Sequence, residues 1–178
     1  MRGVEQIPWL YDVICSLYEW SGIAAWRRWL VADAHGRVLD LGTGTGAGAF
    51  AIARQFPEAA VVGADLAERM LAEARRKTPP ELRDRVAFEP ADASALPYAD
   101  GSFQLVAHAN MIPFFDELAR VVAPGGHALF AFSGGPTTPI YVAPEKLKEE
   151  LAARGFTEFA DLAAGRGNGV LARKGDPA

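Results

Sequence analysis

The run Arg37-Val38-Leu39-Asp40-Leu41, followed at once by Gly42-Thr43-Gly44-Thr45-Gly46, constrains the fold more than any other stretch of the chain. A short apolar strand that opens into alternate glycines and then a helix, here from about Gly46 to Phe56 and closed by Pro57, begins a strand–helix–strand unit of a parallel sheet. Alternate glycines let the backbone turn tightly and remove side chains that would hold a ligand away. The helix start adds N–H groups that have no partner within the helix. In an open parallel sheet this loop lies outside the carboxyl end of a strand, where ligands bind. Taken alone, the pattern suits an adenosyl, nicotinamide or flavin cofactor equally.

The same alternation continues down the chain. A strand at Ala60–Ala64 leads to a helix at Ala67–Lys77 that Thr78-Pro79-Pro80 stops. Strands are expected at Val86–Glu89 and Phe103–Ala107, then a helix at Phe114–Val122 and a Pro124-Gly125-Gly126 turn into a strand at His127–Phe132. A Gly/Pro/Thr loop, Gly134–Ala143, precedes a helix at Pro144–Arg154 ended by Gly155. Short strands follow at Thr157–Ala163 and Gly169–Arg173, the second antiparallel, with a frayed tail from Lys174. The pattern predicts an α/β fold: a Rossmann-like, doubly wound, mostly parallel seven-stranded sheet with helices on both faces. Residues 1–34 read as an N-terminal helical extension, broken near Ser21-Gly22, and residues 35–178 as the ligand-binding domain, the whole forming one compact domain.

Composition narrows the function classes. The chain of 178 residues has a net charge of −4 and an isoelectric point near 5.4, whereas nucleic acid binding calls for a basic face. A nucleic acid partner is not expected. The single cysteine, Cys15, cannot pair within the chain and reads as a buried structural thiol, so the cytoplasm is the expected compartment. No signal peptide and no run of roughly 20 apolar residues is seen, so no transmembrane segment is expected. His35, His108 and His127 are isolated and lack ligand spacing, so no metal is expected either.

Two acids sharpen the reading of the loop. Asp65 ends the second strand, where a carboxylate accepts hydrogen bonds from two ribose hydroxyls, or from the N-terminus of the next helix. Asp92 follows the third strand and on its own reads equally as a turn residue. Around them stand Val61-Val62-Gly63-Ala64-Asp65-Leu66-Ala67-Glu68-Arg69-Met70-Leu71, Ala91-Asp92-Ala93-Ser94-Ala95-Leu96-Pro97-Tyr98-Ala99-Asp100-Gly101-Ser102-Phe103 and Glu117-Leu118-Ala119-Arg120-Val121-Val122-Ala123-Pro124-Gly125-Gly126. In this order, over about residues 35–173, the blocks resemble class I S-adenosylmethionine-dependent methyltransferases, and among them the ubiquinone/menaquinone-biosynthesis type and its small-molecule relatives.

The resemblance implies S-adenosylmethionine as cofactor, S-adenosylhomocysteine as product and a small apolar or aromatic methyl acceptor. It implies that Gly42, Gly44 and Gly46 face the methionine part and ribose, with Asp40 near the amino group. Asp65 then takes the ribose hydroxyls, Leu66 and Met70 flank the adenine, Asp92 accepts from its amino group and Ala93 offers a backbone N–H. The chain departs from the family pattern at Gln104, where the fourth strand often begins with Asp, and in a shortened Asn110-Met111-Ile112-Pro113-Phe114 segment bordering the methyl group and substrate.

Methyl transfer from a sulfonium needs chiefly alignment, and a base only where the acceptor holds its proton tightly. His108, at the end of the fourth strand, is one base candidate, its alternative being a packed residue facing the helix layer. Tyr11 is a second, with Tyr18 beside it. Trp9, Trp20, Trp26 and Trp29 crowd the N-terminal extension and read as a lid, a homodimer face, a membrane-surface contact or simply packing, while Arg27 and Arg28 suit an anionic substrate or an exposed helix face. Two other functions share the loop: an adenosyl-cofactor-binding protein without turnover, and a nicotinamide-dependent oxidoreductase, against which the Leu96–Phe103 block argues.

Overall fold

The computed structural model describes residues 36–164 and 167–176. The expected N-terminal helices, Cys15, the two tyrosines, the four tryptophans, Arg27, Arg28 and His35 lie outside the described residues. Strand β1 (Gly36–Leu41) is followed by helix α1 (Ala47–Gln55), β2 (Ala59–Asp65), α2 (Glu68–Lys77), β3 (Val86–Pro90), β4 (Phe103–Ala109), α3 (Phe115–Val121), β5 (Val122–Phe132), α4 (Pro144–Ala152), β6 (Phe156–Ala164) and β7 (Gly167–Lys174). The strands form one sheet in the order β3-β2-β1-β4-β5-β7-β6. Pairings from β3 to β5 are parallel, and β7 runs antiparallel to both β5 and β6. The expected seven-stranded α/β sheet is the one observed.

Helices cover both faces because neighbouring strand residues feed opposite cores. Leu39 and Val62 join Leu118, Leu147 and Leu151 on the α3/α4 side, while Val38 and Val61 join Ile52, Phe56 and Leu71 on the α1/α2 side. With both faces covered, the strands read as apolar runs rather than as alternating patterns. The strand order reverses between β1 and β4, so their following connections part company and leave a crevice at the carboxyl ends.

One expected turn is absent. Pro124-Gly125-Gly126 lies within the long strand β5 as a bulge, since Phe103 pairs with Val122 but Leu105 pairs with His127. Pro124 has no N–H to give to the ladder and Gly125 takes φ 71°, while a Cβ at Gly126 would stand 2.9 Å from the carbonyl oxygens of Ala123 and Gln104. Turn residues in a strand sequence can mark either a turn or a bulge, and here they bend the strand without ending it.

The floor beneath the glycine loop is packed against β2 and β3. Phe88 lies edge-on to Phe50 at 5.7 Å, and a Cβ on Gly63 would meet the Phe88 ring at 2.6 Å and the Thr43 hydroxyl at 2.8 Å. Gly63 is thus the space into which the ring and the loop both fit. Gly63→Ala is expected to destabilise the fold by about 1–3 kcal/mol through overpacking, read as a lower urea midpoint at unchanged slope; an unchanged midpoint contradicts this packing account.

Candidate functional site

At the crevice the chain builds a cleft of about 330 Å³. Its described lining comes from the carboxyl ends of four strands: Leu41, Gly42 and Gly44 after β1, Ala64, Asp65, Leu66 and Met70 after β2, Ala91–Ala93 after β3, and Ala109–Met111 with Phe114 after β4. Of the residues singled out in the sequence, Gly42, Gly44, Asp65, Leu66, Met70, Asp92 and Ala93 are brought together there.

The loop between β1 and α1 is tied down by its own N–H groups. Those of Gly42 and Thr43 both donate to the Ala64 carbonyl, at 2.8 and 3.0 Å, and that of Gly46 donates to Thr43 O. The Gly44 N–H donates to Asp65 Oδ2 at 2.9 Å. Four of the N–H groups expected to be free, those of Gly42, Thr43, Gly44 and Gly46, are therefore spent inside the protein. What its glycines offer the cleft is close approach of bare Cα atoms, with Gly42 at φ 74° and Gly44 at φ 56°.

Asp65 sits at the centre of this arrangement. Its other oxygen, Oδ1, accepts from the Ala67 N–H at 2.9 Å, so the helix-start role and the cleft position coexist. Two backbone donors fix the carboxylate plane while each oxygen keeps a lone pair for a ligand. Asp92 combines both of its readings too. Its Oδ1 accepts from the Ser94 N–H and hydroxyl, at 2.9 and 2.7 Å, which holds the carboxyl below its usual range. Leu66 stands 75% exposed while Met70 is buried, which gives the cleft an apolar platform and an apolar wall.

The turn carrying Asp92 and Ala93 is held from outside. On α3, Arg120 donates to the carbonyls of Tyr98 at 2.6 Å and Leu96 at 3.0 Å, and Glu117 accepts the Leu96 N–H at 2.6 Å while pairing with Arg120. The second and third sequence blocks are thus one interlocked unit, which explains their joint patterning.

Three expected positions differ. Gly46 does not line the cleft; it is the residue before α1, at φ 86°, with the Phe50 and Phe88 rings where a side chain would be. Asp40 is buried beneath α1, with Oδ2 accepting from the Thr43 hydroxyl at 2.6 Å and the carboxyl also meeting the Ala49 N–H. It holds the loop rather than facing the cleft. His108 is 1% exposed, lies against Phe130 at 4.8 Å, and its Nε2 meets the Ile112 carbonyl at 3.1 Å. The packed alternative is the one adopted, because strand alternation turns this side chain into the α3/α4 layer. Gln104 stands at the opposite end of β4 from the cleft, accepting from the Arg37 N–H at 2.9 Å, so that departure leaves the cleft untouched.

Leu41, Ala64, Ala91, Ala109, Asn110, Met111 and Phe114 also line the cleft, although none was singled out as a binding residue. The small ones carry no chemistry that a sequence pattern can flag; their only signal is their place at strand ends beside a reversal of strand order. Leu41 ends β1, and Asn110, Met111 and Phe114 lie in the short segment after β4, whose border position was expected.

The electrostatics favour a cation. The charged residues lining the described cleft are Asp65 and Asp92, and Asp40 lies just beneath. Phosphate recognition uses free N–H groups and basic side chains; here the N–H groups of Gly42, Thr43, Gly44 and Gly46 are occupied and the charged side chains lining the described cleft are acids.

Residues 38–126 match a family model described as a methyltransferase domain, and the chain belongs to that family. Among characterised relatives, a demethylmenaquinone methyltransferase of Thermus thermophilus is 44% identical over 128 residues, 65% of this chain and 57% of the relative. A malonyl-[acyl-carrier protein] O-methyltransferase of Halorhodospira halophila is 41% identical over 108 residues, 57% of this chain and 36% of the relative. The chain therefore spans about half the length, or less, of these relatives. In fold, a putative S-adenosyl-L-methionine-dependent methyltransferase of Methanococcus maripaludis superposes with a TM-score of 0.76 at 16% identity, covering 98% of this chain and 94% of that one. Family membership counts against the oxidoreductase alternative.

Burial pushes Asp40 up to about 6, against the opposing hydrogen bonds of Thr43 and Ala49. A carboxyl that binds its proton more tightly folded than unfolded contributes stability that is complete below about pH 4 and lost as the pH rises through about 6. Asp40→Asn is expected to match the wild type below pH 4 and to exceed it at pH 7 by about 2–3 kcal/mol. Urea unfolding across this range checks it, and a difference independent of pH contradicts it.

Proposed function

We propose that the chain is an S-adenosylmethionine-dependent methyltransferase acting on a small apolar or aromatic acceptor. The observation that carries this reading is the Asp65 carboxylate, fixed by the Gly44 and Ala67 N–H groups at the lip of a cleft where the Gly42, Thr43, Gly44 and Gly46 donors are already taken. Such a site suits a ribose beside a cationic sulfonium and amine, and it offers little to a pyrophosphate. In this reading Asp65 takes the ribose hydroxyls and Gly42 and Gly44 let the methionine part lie on the backbone. Leu66 and Met70 flank the adenine, while Asp92 and the Ala93 N–H meet its edge.

The cofactor supplies a methyl group already activated on sulfur, so the protein's contribution is to bind, orient and keep water out. Asp40, beneath the loop, adds negative potential under the cationic portion. The exposed Ile112 and Phe114, with Met111 beside them, give the acceptor side an apolar rim. That rim agrees with the demethylmenaquinone methyltransferases among the relatives, and we favour a quinone-like ring as acceptor over an acyl carrier. With His108 turned into the helix layer, Tyr11 is the candidate for any proton removal that an acceptor requires. The Trp-rich N-terminal residues are proposed as a lid or homodimer face. We place the enzyme in the cytoplasm; no described helix is long and apolar enough to cross a membrane.

Titration calorimetry with S-adenosylmethionine, S-adenosylhomocysteine and NAD tests the binding claim: both adenosyl ligands are expected to bind and NAD is not, whereas NAD binding alone contradicts it. Asp65→Ala is expected to weaken binding by about 1.5–3 kcal/mol, and unchanged affinity removes Asp65 from the site. Release of S-adenosylhomocysteine is then measured over quinones, phenols, amines and malonyl thioesters. Turnover on a reduced quinone ring is the expected outcome; binding with no release on any acceptor favours a cofactor-holding protein.

A further inference from the structure

The connection from β4 to α3 forms one side of the cleft. Ala109, Asn110, Met111 and Phe114 line the cleft, and Met111 lies on the glycine loop, its Sδ 2.6 Å from where a Gly42 Cβ would stand. The backbone between them is pinned at two points. Asn110 is the only non-glycine residue with positive φ among the described residues, at 53°. Its amide donates to Ser133 Oγ at 2.6 Å and accepts the Ser133 N–H at 2.9 Å, while its own N–H donates to Ala131 O. The second pin is His108, two residues before Asn110, whose Nε2 reaches forward to the Ile112 carbonyl at 3.1 Å.

The chemistry of that contact fixes the tautomer. A carbonyl only accepts, so Nε2 carries the proton and Nδ1 is bare. Nδ1 is buried with no hydrogen-bond partner among the described residues. Burial also drives the imidazole down to about 4, so it is neutral at physiological pH. Its ring plane is set by Phe130, its cross-strand partner in the register, and Phe130 in turn packs on Phe115 at 5.8 Å. A hydrocarbon would fill the same space without burying a polar ring. What the imidazole gives in return is a directed N–H at the midpoint of the cleft wall.

We propose that His108 is a positioning residue: its Nε2–H, acting on the Ile112 carbonyl, holds the Asn110–Phe114 wall so that Met111 is seated over Gly42 at the methyl end of the cofactor cleft. The assignment rests on the cofactor reading given above. It replaces a role as base with one as anchor.

The test uses the whole chain carrying ¹³C-methyl methionine, which gives three methyl signals, from Met1, Met70 and Met111. His108→Leu removes the donor and keeps an apolar filling, while His108→Gln returns an amide N–H near the Nε2 position. The Leu variant is expected to shift or broaden the Met111 signal and to raise the Kd for S-adenosylhomocysteine about fivefold at undiminished Tm, with the Gln variant restoring both. An unchanged Met111 signal and Kd in the Leu variant overturns the proposal. So does a Gln variant that behaves like Leu, which would make the ring itself the active element. A Gln variant that keeps both readouts but loses turnover overturns it in favour of a base. If the Leu variant does not fold, Asn110→Gly, which tolerates the left-handed backbone while releasing the Ser133 clamp, is expected to move the Met111 signal in a native fold, and no movement counts against a pinned wall. Wild-type protein that binds no S-adenosylhomocysteine refutes the cofactor reading, and the Met111 signal then judges the pinned wall alone.

Discussion

The glycine loop lying flat across the end of β2 is the constraint on which the site depends. Gly42 and Thr43 give their N–H groups to a single carbonyl, that of Ala64, and Gly44 gives its own to the next side chain, Asp65. Those bonds go with a backbone that holds Gly42 and Gly44 at positive φ, where glycine is favoured, and they take up three donors that would otherwise greet an anion. The same bonds orient the Asp65 carboxylate and leave its free lone pairs facing the cleft. On the proposed function, selectivity for a cationic adenosyl ligand begins in the main chain, before any side chain meets the ligand.

Around that tie, each strand end contributes one wall, and each wall is fastened by a different device. Asp40 holds the start of α1 through Thr43 and Ala49. The Glu117–Arg120 pair, on the helix that shares a core with this turn, holds the segment carrying Asp92 and Ala93. Ser133 and His108 secure the segment after β4. These fastenings are directional hydrogen bonds, so the cleft is preorganised for alignment, which is the main demand of transfer from an activated donor. Exposed ion pairs such as Arg76 with Glu73 add little by comparison.

The architecture was legible because apolar runs, glycine turns and helix stops recur in a fixed order, and a parallel sheet leaves few alternatives once that order is read. The errors have physical causes. Pro124-Gly125-Gly126 has turn chemistry, yet pairing with β4 resumes beyond it, and only the neighbouring strand can show that. Asp40, Asp65 and Asp92 look alike as acids beside glycines or strand ends. Whether a carboxylate faces the cleft or the helix above depends on strand alternation, and Asp40 falls on the helix side. His108 is turned into the α3/α4 layer for the same reason. Ala64, Ala91 and Ala109 matter only by being small at the right strand ends, which no residue type announces. Asn110 did carry a usable signal, since asparagine tolerates a left-handed backbone where a strand ends abruptly.

The central claim is that this cleft holds an adenosyl cofactor with its ribose on Asp65. A crystal structure of the protein grown with S-adenosylhomocysteine tests it most directly. The account predicts both ribose hydroxyls within hydrogen-bond distance of the Asp65 carboxylate, with the adenine between Leu66 and Met70 and its edge toward Asp92 and Ala93. A ligand bound elsewhere, or one in the cleft with its ribose turned away from Asp65, would contradict it.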